Sequence, residues 1–119
     1  MKRSLTLVLS IVIIGLTAVG FRLYAQESQP RVVTISAKRF EFTPNQITLK
    51  RGDPVTLRVS ALDRDHGFFQ KDLKIDLDLT PDHVSEVTIT PDKAGRFIVI
   101  CDRFCGSGHG NMKMVINVE

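Results

Sequence analysis

Four residues whose side chains bind soft metals lie within one short segment, CDRFCGSGHGNM (101–112). It holds both cysteines, one of three histidines and one of three methionines, with the spacing Cys-x3-Cys-x3-His-x2-Met. Thiolate, imidazole and thioether together favour copper, and a weak axial methionine is typical of copper electron-transfer sites. The alternative is a disulfide in a glycine-rich loop. That bond would close a very short loop, which stabilises a fold less than a long one.

A second histidine, His66, lies upstream in DRDHGF, just after the alternating segment VTLRVS. In a β-sandwich, the loop after that segment and the loop after RFIVIC can meet at one end, which would add an imidazole to the copper ligands. Two arrangements stay open. A mononuclear site would use His66, Cys105, His109 and Met112, leaving Cys101 as a free thiol prone to oxidation. A dinuclear site would use both thiolates as bridges, with one histidine on each copper.

Other side chains near these motifs have more ordinary interpretations. Asp63 and Asp65 flank His66. Either could hydrogen-bond the second ring nitrogen of a metal-binding histidine, but solvated loop carboxylates are the default expectation. His83, in TPDHVSE, is expected on the surface. Met114 shares a strand face with Met112 and is expected to pack beneath the site.

The first 25 residues have the pattern of an export segment. Lys2 and Arg3 precede an apolar run from Leu5 to Phe21, which matches a basic region followed by an apolar core. The run of 17 residues is at the lower limit for a membrane-spanning helix. We therefore expect either a signal peptide cleaved after Ala25 or a retained N-terminal membrane anchor. Both place the rest of the chain on the extracytoplasmic, periplasmic side.

Charge outside this leader is balanced. Three of the 16 basic residues lie in the leader, so 13 basic and 13 acidic residues remain from Gln26 onward. We see no nucleic-acid signature in this pattern. Eight acids between positions 61 and 92 form a locally negative stretch, which could steer a cationic partner or be plain solvated surface: Asp63, Asp65, Asp72, Asp76, Asp78, Asp82, Glu86 and Asp92.

The exported part of the chain alternates with period two. A polar linker at 26–30 precedes short alternating segments separated by turns such as RGDP and PDKAG, with no long amphipathic helix and no internal repeat. Six or more short strands predict a small antiparallel β-sandwich over 31–119. Ten residues are expected in its core: Ile47, Leu49, Val55, Leu57, Val87, Ile89, Ile98, Ile100, Val115 and Val118.

The two motifs together resemble a known domain. CDRFCGSGHGNM with the upstream DRDHGF is similar to the CuA domain of cytochrome c oxidase subunit II, a cupredoxin family member also found in nitrous oxide reductase. The organisation is most like subunit II of the B-type haem-copper oxidases, which has one N-terminal membrane helix. The similarity spans Arg31–Glu119. It implies a cupredoxin-like Greek-key β-sandwich preceded by a hydrophobic signal or anchor helix.

The resemblance also implies a dinuclear centre of two copper ions. Cys101 and Cys105 would be the bridging thiolates, and His66 and His109 the imidazole ligands, one per copper. Two weak ligands would complete the set: the Met112 thioether and the Arg103 backbone carbonyl. Many relatives have Glu in place of Arg103, and its carboxylate also serves a magnesium site. The carbonyl role is compatible with Arg103, but a magnesium role is not expected of it.

The resemblance implies electron transfer without a catalytic site in this chain. The expected donor is cytochrome c or another cupredoxin, and the acceptor is haem-copper oxidase subunit I. A stand-alone exported cupredoxin carrier and a copper-delivery protein are the alternatives. The chain has no Trp, and its single Tyr lies in the leader, so only Phe68, Phe69 and Phe104 could form an aromatic surface for the donor. At least one of these is expected to pack in the core.

Overall fold

The computed structural model describes residues 29–119, which form a sandwich of two β-sheets. One sheet has the strand order β2-β1-β4-β7, and the other has the order β3-β9-β8-β5-β6. The nine strands of this range are β1 (Arg31–Lys38), β2 (Glu41–Thr43), β3 (Gln46–Leu49), β4 (Val55–Ala61), β5 (His66–Gln70), β6 (Ile75–Leu79), β7 (Ser85–Ile89), β8 (Gly95–Ile100) and β9 (Lys113–Val118). The expected all-β sandwich is confirmed.

The sheets are mixed, so the expectation of purely antiparallel pairing is wrong. Strand β1 pairs in parallel with β4, and β3 pairs in parallel with β9. A parallel pair needs a long connection. Between β1 and β4 this connection consists of β2 and β3: the chain leaves β1, forms β3 in the opposite sheet and then returns to β4.

The β5–β6 hairpin was not predicted as two strands. The sequence interpretation placed His66 in a loop, whereas it is the first residue of β5 and lies opposite Leu79 of β6. Strand β6, IDLDL, alternates between buried or partly buried aliphatic residues and exposed Asp76 and Asp78. The alternation is a strand signal that the acidic character of the stretch obscured.

Six of the ten predicted core residues are buried: Ile47, Leu49, Val55, Leu57, Ile89 and Val118. The largest error is in β8, where Val99 is buried, Ile98 is partly exposed and Ile100 is 38% exposed. Successive side chains of a strand point to opposite faces. Since Cys101 points inward, Val99 must do so as well, and Ile98 and Ile100 face outward.

The expectations for residues 1–25 lie outside the described range, so the alternatives of cleaved signal and membrane anchor stay predictions. Strand β1 begins at Arg31. Within 29–119, no helix is long and apolar enough to cross a membrane.

Candidate metal centre

Three neighbouring strands position the metal-binding side chains. Strands β9, β8 and β5 are adjacent in the five-stranded sheet. His66 begins β5, Cys101 directly follows β8, and Met112 directly precedes β9. The N–H of Cys101 donates a hydrogen bond to the carbonyl of Met112 at 3.3 Å, which closes the base of the loop. The potential ligands are therefore held by the sheet at one end of the sandwich.

The two cysteine sulfur atoms lie at the centre of the cluster. Cys101 and Cys105 are buried and unbonded, with their Sγ atoms 3.8 Å apart. A transition-metal–sulfur bond is about 2.3 Å long, so one ion can contact two sulfur atoms up to about 4.6 Å apart. The separation is far beyond the roughly 2.05 Å of a disulfide. The spacing thus favours two thiolates facing a shared metal position over the disulfide alternative.

His66 presents its Nδ1 atom to this sulfur pair. The imidazole is fully buried, and Nδ1 lies 3.9 Å from Cys101 Sγ. Its other ring nitrogen, Nε2, lies 2.7 Å from a carboxylate oxygen of Asp63. An ionised carboxylate only accepts hydrogen bonds, so in the neutral imidazole Nε2 carries the proton and Nδ1 keeps a free lone pair. Asp63 therefore fixes the tautomer that can bind a metal.

His109 and Met112 lie on the Cys105 side of the pair. His109, in a single 3-10 turn, places Nδ1 3.7 Å from Cys105 Sγ. Met112 is fully buried, with Sδ 3.8 Å from the same sulfur. Each cysteine therefore has its own histidine, and the thioether belongs to the Cys105 side.

The backbone carbonyl of Arg103 lies on the Cys101 side, 3.1 Å from its Sγ. The N–H of Gly67 donates to the same sulfur from the opposite chain segment, at 3.4 Å. Donors of this kind stabilise a thiolate. The Cys101 sulfur thus has two backbone groups and one imidazole around it.

Phe40 packs on the glycines of the metal loop. Its ring is so close to Gly106 and Gly108 that an added Cβ would lie 2.9 Å and 2.5 Å from ring carbons, respectively. Any side chain at either position would have to displace the ring. Phe40 and Phe42 are two residues apart in KRFEF, a spacing that would place both on one face of a strand. Only Phe42 is buried, because the chain turns at 39–40.

The Cys105 side chain of the metal-free chain favours the thiol form. Burial, followed by the hydrogen bond and charge of neighbouring Cys101, raises the pKa of the Cys105 thiol to about 11. A metal ion binds thiolates and so must displace this proton. The metal affinity of the site is therefore expected to rise with pH.

The ligand atoms gathered at this site suit a copper ion. Two thiolates, two Nδ1 atoms and a thioether are soft or borderline ligands, which suit copper more than magnesium or calcium. Every buried side-chain nitrogen or oxygen in 29–119 has a hydrogen-bond partner. The cluster of His66, Cys101 and Cys105, with Met112 beside it, is consistent with a copper site.

The sequence profile of the cupredoxin-like domain matches residues 7–115. The chain belongs to the cupredoxin-like family. Cytochrome c oxidase subunit 2 of Thermus thermophilus is 32% identical over 87 residues, covering 73% of this chain and 64% of that protein. The chain therefore spans slightly less than two thirds of the length of that relative. Its cupredoxin domain is homologous to that protein.

Two solved structures share the fold of the cupredoxin domain. The periplasmic domain of cytochrome oxidase subunit II from Bradyrhizobium japonicum has a TM-score of 0.70 and 17% identity, covering 78% of this chain and 86% of that one. A chain of a heme-copper terminal oxidase dimer has a TM-score of 0.69 and 22% identity, covering 99% of this chain and 98% of that one.

The cupredoxin domain brings all six sequence-predicted site residues to one end of the sandwich, through the contacts given above. Their role as copper ligands stays a prediction. The default expectation of a solvated carboxylate is wrong for Asp63, which bonds His66. The D-x-x-H spacing was the available signal, since an aspartate three residues before a histidine can reach its ring. No sequence pattern indicated the role of Phe40, because its contact with the metal loop depends on how two turns distant in sequence pack together.

Asp63 is expected to make stability depend on pH. Burial alone would raise the pKa of its carboxyl, but N–H groups of Arg39 and Arg64 and the His66 ring outweigh burial and lower the pKa from 3.8 to about 2. This contribution is present above the unfolded-state pKa and is lost as pH falls towards 2. Asp63→Asn should lower the unfolding free energy at pH 6 by about 1–2 kcal/mol, a value discounted for 30% exposure of the side chain.

Urea unfolding of the copper-free chain between pH 6 and pH 2 measures this effect. The difference between wild type and Asp63→Asn should shrink below pH 4. Asp76→Asn, on the exposed face of β6, is the control and should match wild type. A difference that stays constant over the whole range would contradict the role of the Asp63 charge.

Proposed function

We propose that this cupredoxin domain transfers electrons through a dinuclear CuA centre, as subunit II or a subunit II-like component of a respiratory cytochrome c oxidase. One observation carries the proposal: two unbonded, buried sulfur atoms 3.8 Å apart, each with its own imidazole. The mononuclear alternative would leave the buried Cys101 sulfur without a role, although the His66 imidazole lies beside it. Bound copper would supply reversible one-electron chemistry.

The protein's part is to hold the ligands still. His66, Cys101 and Met112 are fully or almost fully buried, and each lies at the end of a strand. Packed interiors resist changes in shape. Small ligand movement between oxidation states favours fast electron transfer, so strand-held ligands support this function better than a mobile loop would.

Electrons would pass through the His109 side of the site. His109 is only partly buried, and the neighbouring Phe104 ring is 71% exposed, with ring centroids 5.8 Å apart. Phe68 is fully buried, as expected for at least one of the three phenylalanines, and cannot contact a partner. Phe104 is therefore the aromatic side chain that a donor would meet first.

The partners are proposed from the relatives. Homology to oxidase subunit 2 supports association with a haem-copper oxidase, whose subunit I would accept the electrons. Cytochrome c or another cupredoxin would donate them. The domain would lie on the periplasmic side of the membrane, with residues 1–25 as the anchor or the cleaved signal.

Copper quantitation with low-temperature EPR tests the function. An unpaired electron shared equally by two copper nuclei gives seven hyperfine lines, whereas one copper gives four. We expect two copper ions per 119-residue chain and seven lines. One ion with four lines would contradict the dinuclear centre. Copper that exchanges rapidly with a chelator and gives no reversible redox wave would contradict electron transfer and favour copper delivery.

Histidine variants provide the matched control. His109→Ala should lose the seven-line pattern, because the Cys105 side then lacks its imidazole. His83→Ala should keep it, since His83 is exposed in the turn between β6 and β7 and contacts Thr80 and Asp82 instead. An equal response of the two variants would contradict the assignment of His109.

Met112→Leu is expected to keep copper bound and change its redox potential. Leucine replaces methionine with little change in volume, a substitution that usually costs less than about 1.5 kcal/mol. The thioether is a weak ligand whose identity tunes potential more than affinity. Voltammetry and copper quantitation measure both effects. Loss of all copper would identify Met112 as a strong ligand.

A further inference from the structure

The guanidinium of Arg103 lies between two carboxylates from different parts of the sandwich. Nη1 is 3.5 Å from Asp65, in the loop between β4 and β5. Nη2 is 3.4 Å from Asp78, in β6. Arginine presents its donors in a planar fork and can engage two carboxylates at once. One side chain thus connects the cysteine loop to two other segments.

Apart from the buried Cys105 side chain, the segment 102–105 has little other support. It makes no backbone–backbone hydrogen bond within residues 29–119. Its backbone instead lies directly on Gly67, where an added Cβ would be 3.0 Å from the Arg103 nitrogen and would collide with the Asp102 side chain. Gly67 pairs with Asp78 across the β5–β6 ladder. The Arg103 side chain therefore reaches across β5 to the edge strand.

We infer that Arg103 is a positioning residue whose paired guanidinium holds its own backbone carbonyl at the Cys101 side of the metal centre. The ion pairs fix the side chain at one end, and contact with Gly67 fixes the backbone at the other. The carbonyl then has one orientation, 3.1 Å from Cys101 Sγ. The inference about the metal rests on the proposed function, whereas the inference about the loop does not.

The two ion pairs are partly exposed, and such pairs contribute little to stability. That contribution is small for the whole fold but large for a four-residue segment without backbone hydrogen bonds. Loss of both pairs is expected to raise the opening equilibrium of the segment on the order of 3- to 10-fold. Global stability should change little.

Hydrogen exchange of the copper-free 119-residue chain tests the loop. In Arg103→Met, which keeps the length of the side chain, the backbone amides of residues 102–105 should exchange on the order of 3- to 10-fold faster than in wild type. Arg103→Lys should fall between them, since an ammonium cannot span both carboxylates. Asp78→Asn should change in the same direction as Arg103→Met. Asp76→Asn, two residues away on the same exposed face, is the control and should match wild type.

The copper-loaded variants test whether the Arg103 side chain positions its backbone carbonyl. Arg103→Met removes a positive charge and Asp78→Asn removes a negative one, so charge alone would shift the redox potential in opposite directions. Positioning predicts that both variants alter the EPR hyperfine splitting in the same sense. Unchanged exchange in Arg103→Met, or opposite changes in the two EPR spectra, would overturn the inference. If wild type binds no copper, the proposed function fails while hydrogen exchange still decides the loop.

Discussion

The Cys101→Ser variant is expected to bind one copper ion per chain in place of the two proposed for wild type. A serine hydroxyl stays protonated at neutral pH and is a hard donor, so it cannot bridge two copper ions as a thiolate does. Cys105, His109 and Met112 remain together after the change, since their contacts do not involve Cys101. The EPR signal should change from seven lines to four, and copper quantitation should fall by half.

Cys105→Ser is the natural comparison. Cys105 contacts both His109 and Met112, whereas Cys101 lies beside His66 and the Arg103 carbonyl. The Cys105 variant should therefore lose the metal more completely, because it removes the sulfur that lies beside both the His109 imidazole and the Met112 thioether. If Cys101→Ser keeps two copper ions and an unchanged spectrum, the bridging role of its thiolate is wrong.

Phe68→Ala is expected to lower the unfolding free energy by about 3–5 kcal/mol. The ring is fully buried and packs edge-on against Phe42, with centroids 5.3 Å apart. Its removal leaves a cavity between the two sheets, two residues from His66. Small domains are stable by only about 5–15 kcal/mol in total, so this change takes away a large share. Urea unfolding of the copper-free chain measures it.

Phe104→Ala is the matched control, because it removes the same ring from an exposed position. Surface substitutions usually change stability by less than about 0.5 kcal/mol, and the copper-free Phe104 variant should stay within that range. A Phe68→Ala variant as stable as wild type would show that the core beside the site relaxes to fill the space. The strand-held geometry proposed for the ligands would then lose its main support.

The alternation of polar and apolar residues predicted most of the strands correctly. Strands β1, β3, β4, β7 and β9 follow the alternating segments, and β8 follows the apolar segment RFIVIC. The phase within β8 was wrong because Phe97–Cys101 is apolar at every position, so both faces looked suitable for the core. The inward-pointing Cys101 decides the phase, and that constraint was present in the sequence.

The candidate site was more predictable than its surroundings. Ligand types and short spacings are fixed along the chain, so His66 and the segment 101–112 could be singled out directly. The supporting contacts could not be, because they join residues distant in sequence. Asp63 bonds the backbone of Arg39, and Phe40 packs on Gly108. Such pairs depend on how the β1–β2 turn meets the metal loop, which no local pattern encodes.

The position of β9 bears on when a metal can be inserted. This strand is last in the chain, yet it lies between β3 and β8 in the middle of its sheet. A polypeptide emerges with its N-terminal end first, so β3 must wait for its partner until residues near 118 are free. Met112 and His109 immediately precede that strand and are among the last ligands delivered. The complete set of proposed copper ligands therefore exists only after almost the entire described chain has been synthesised.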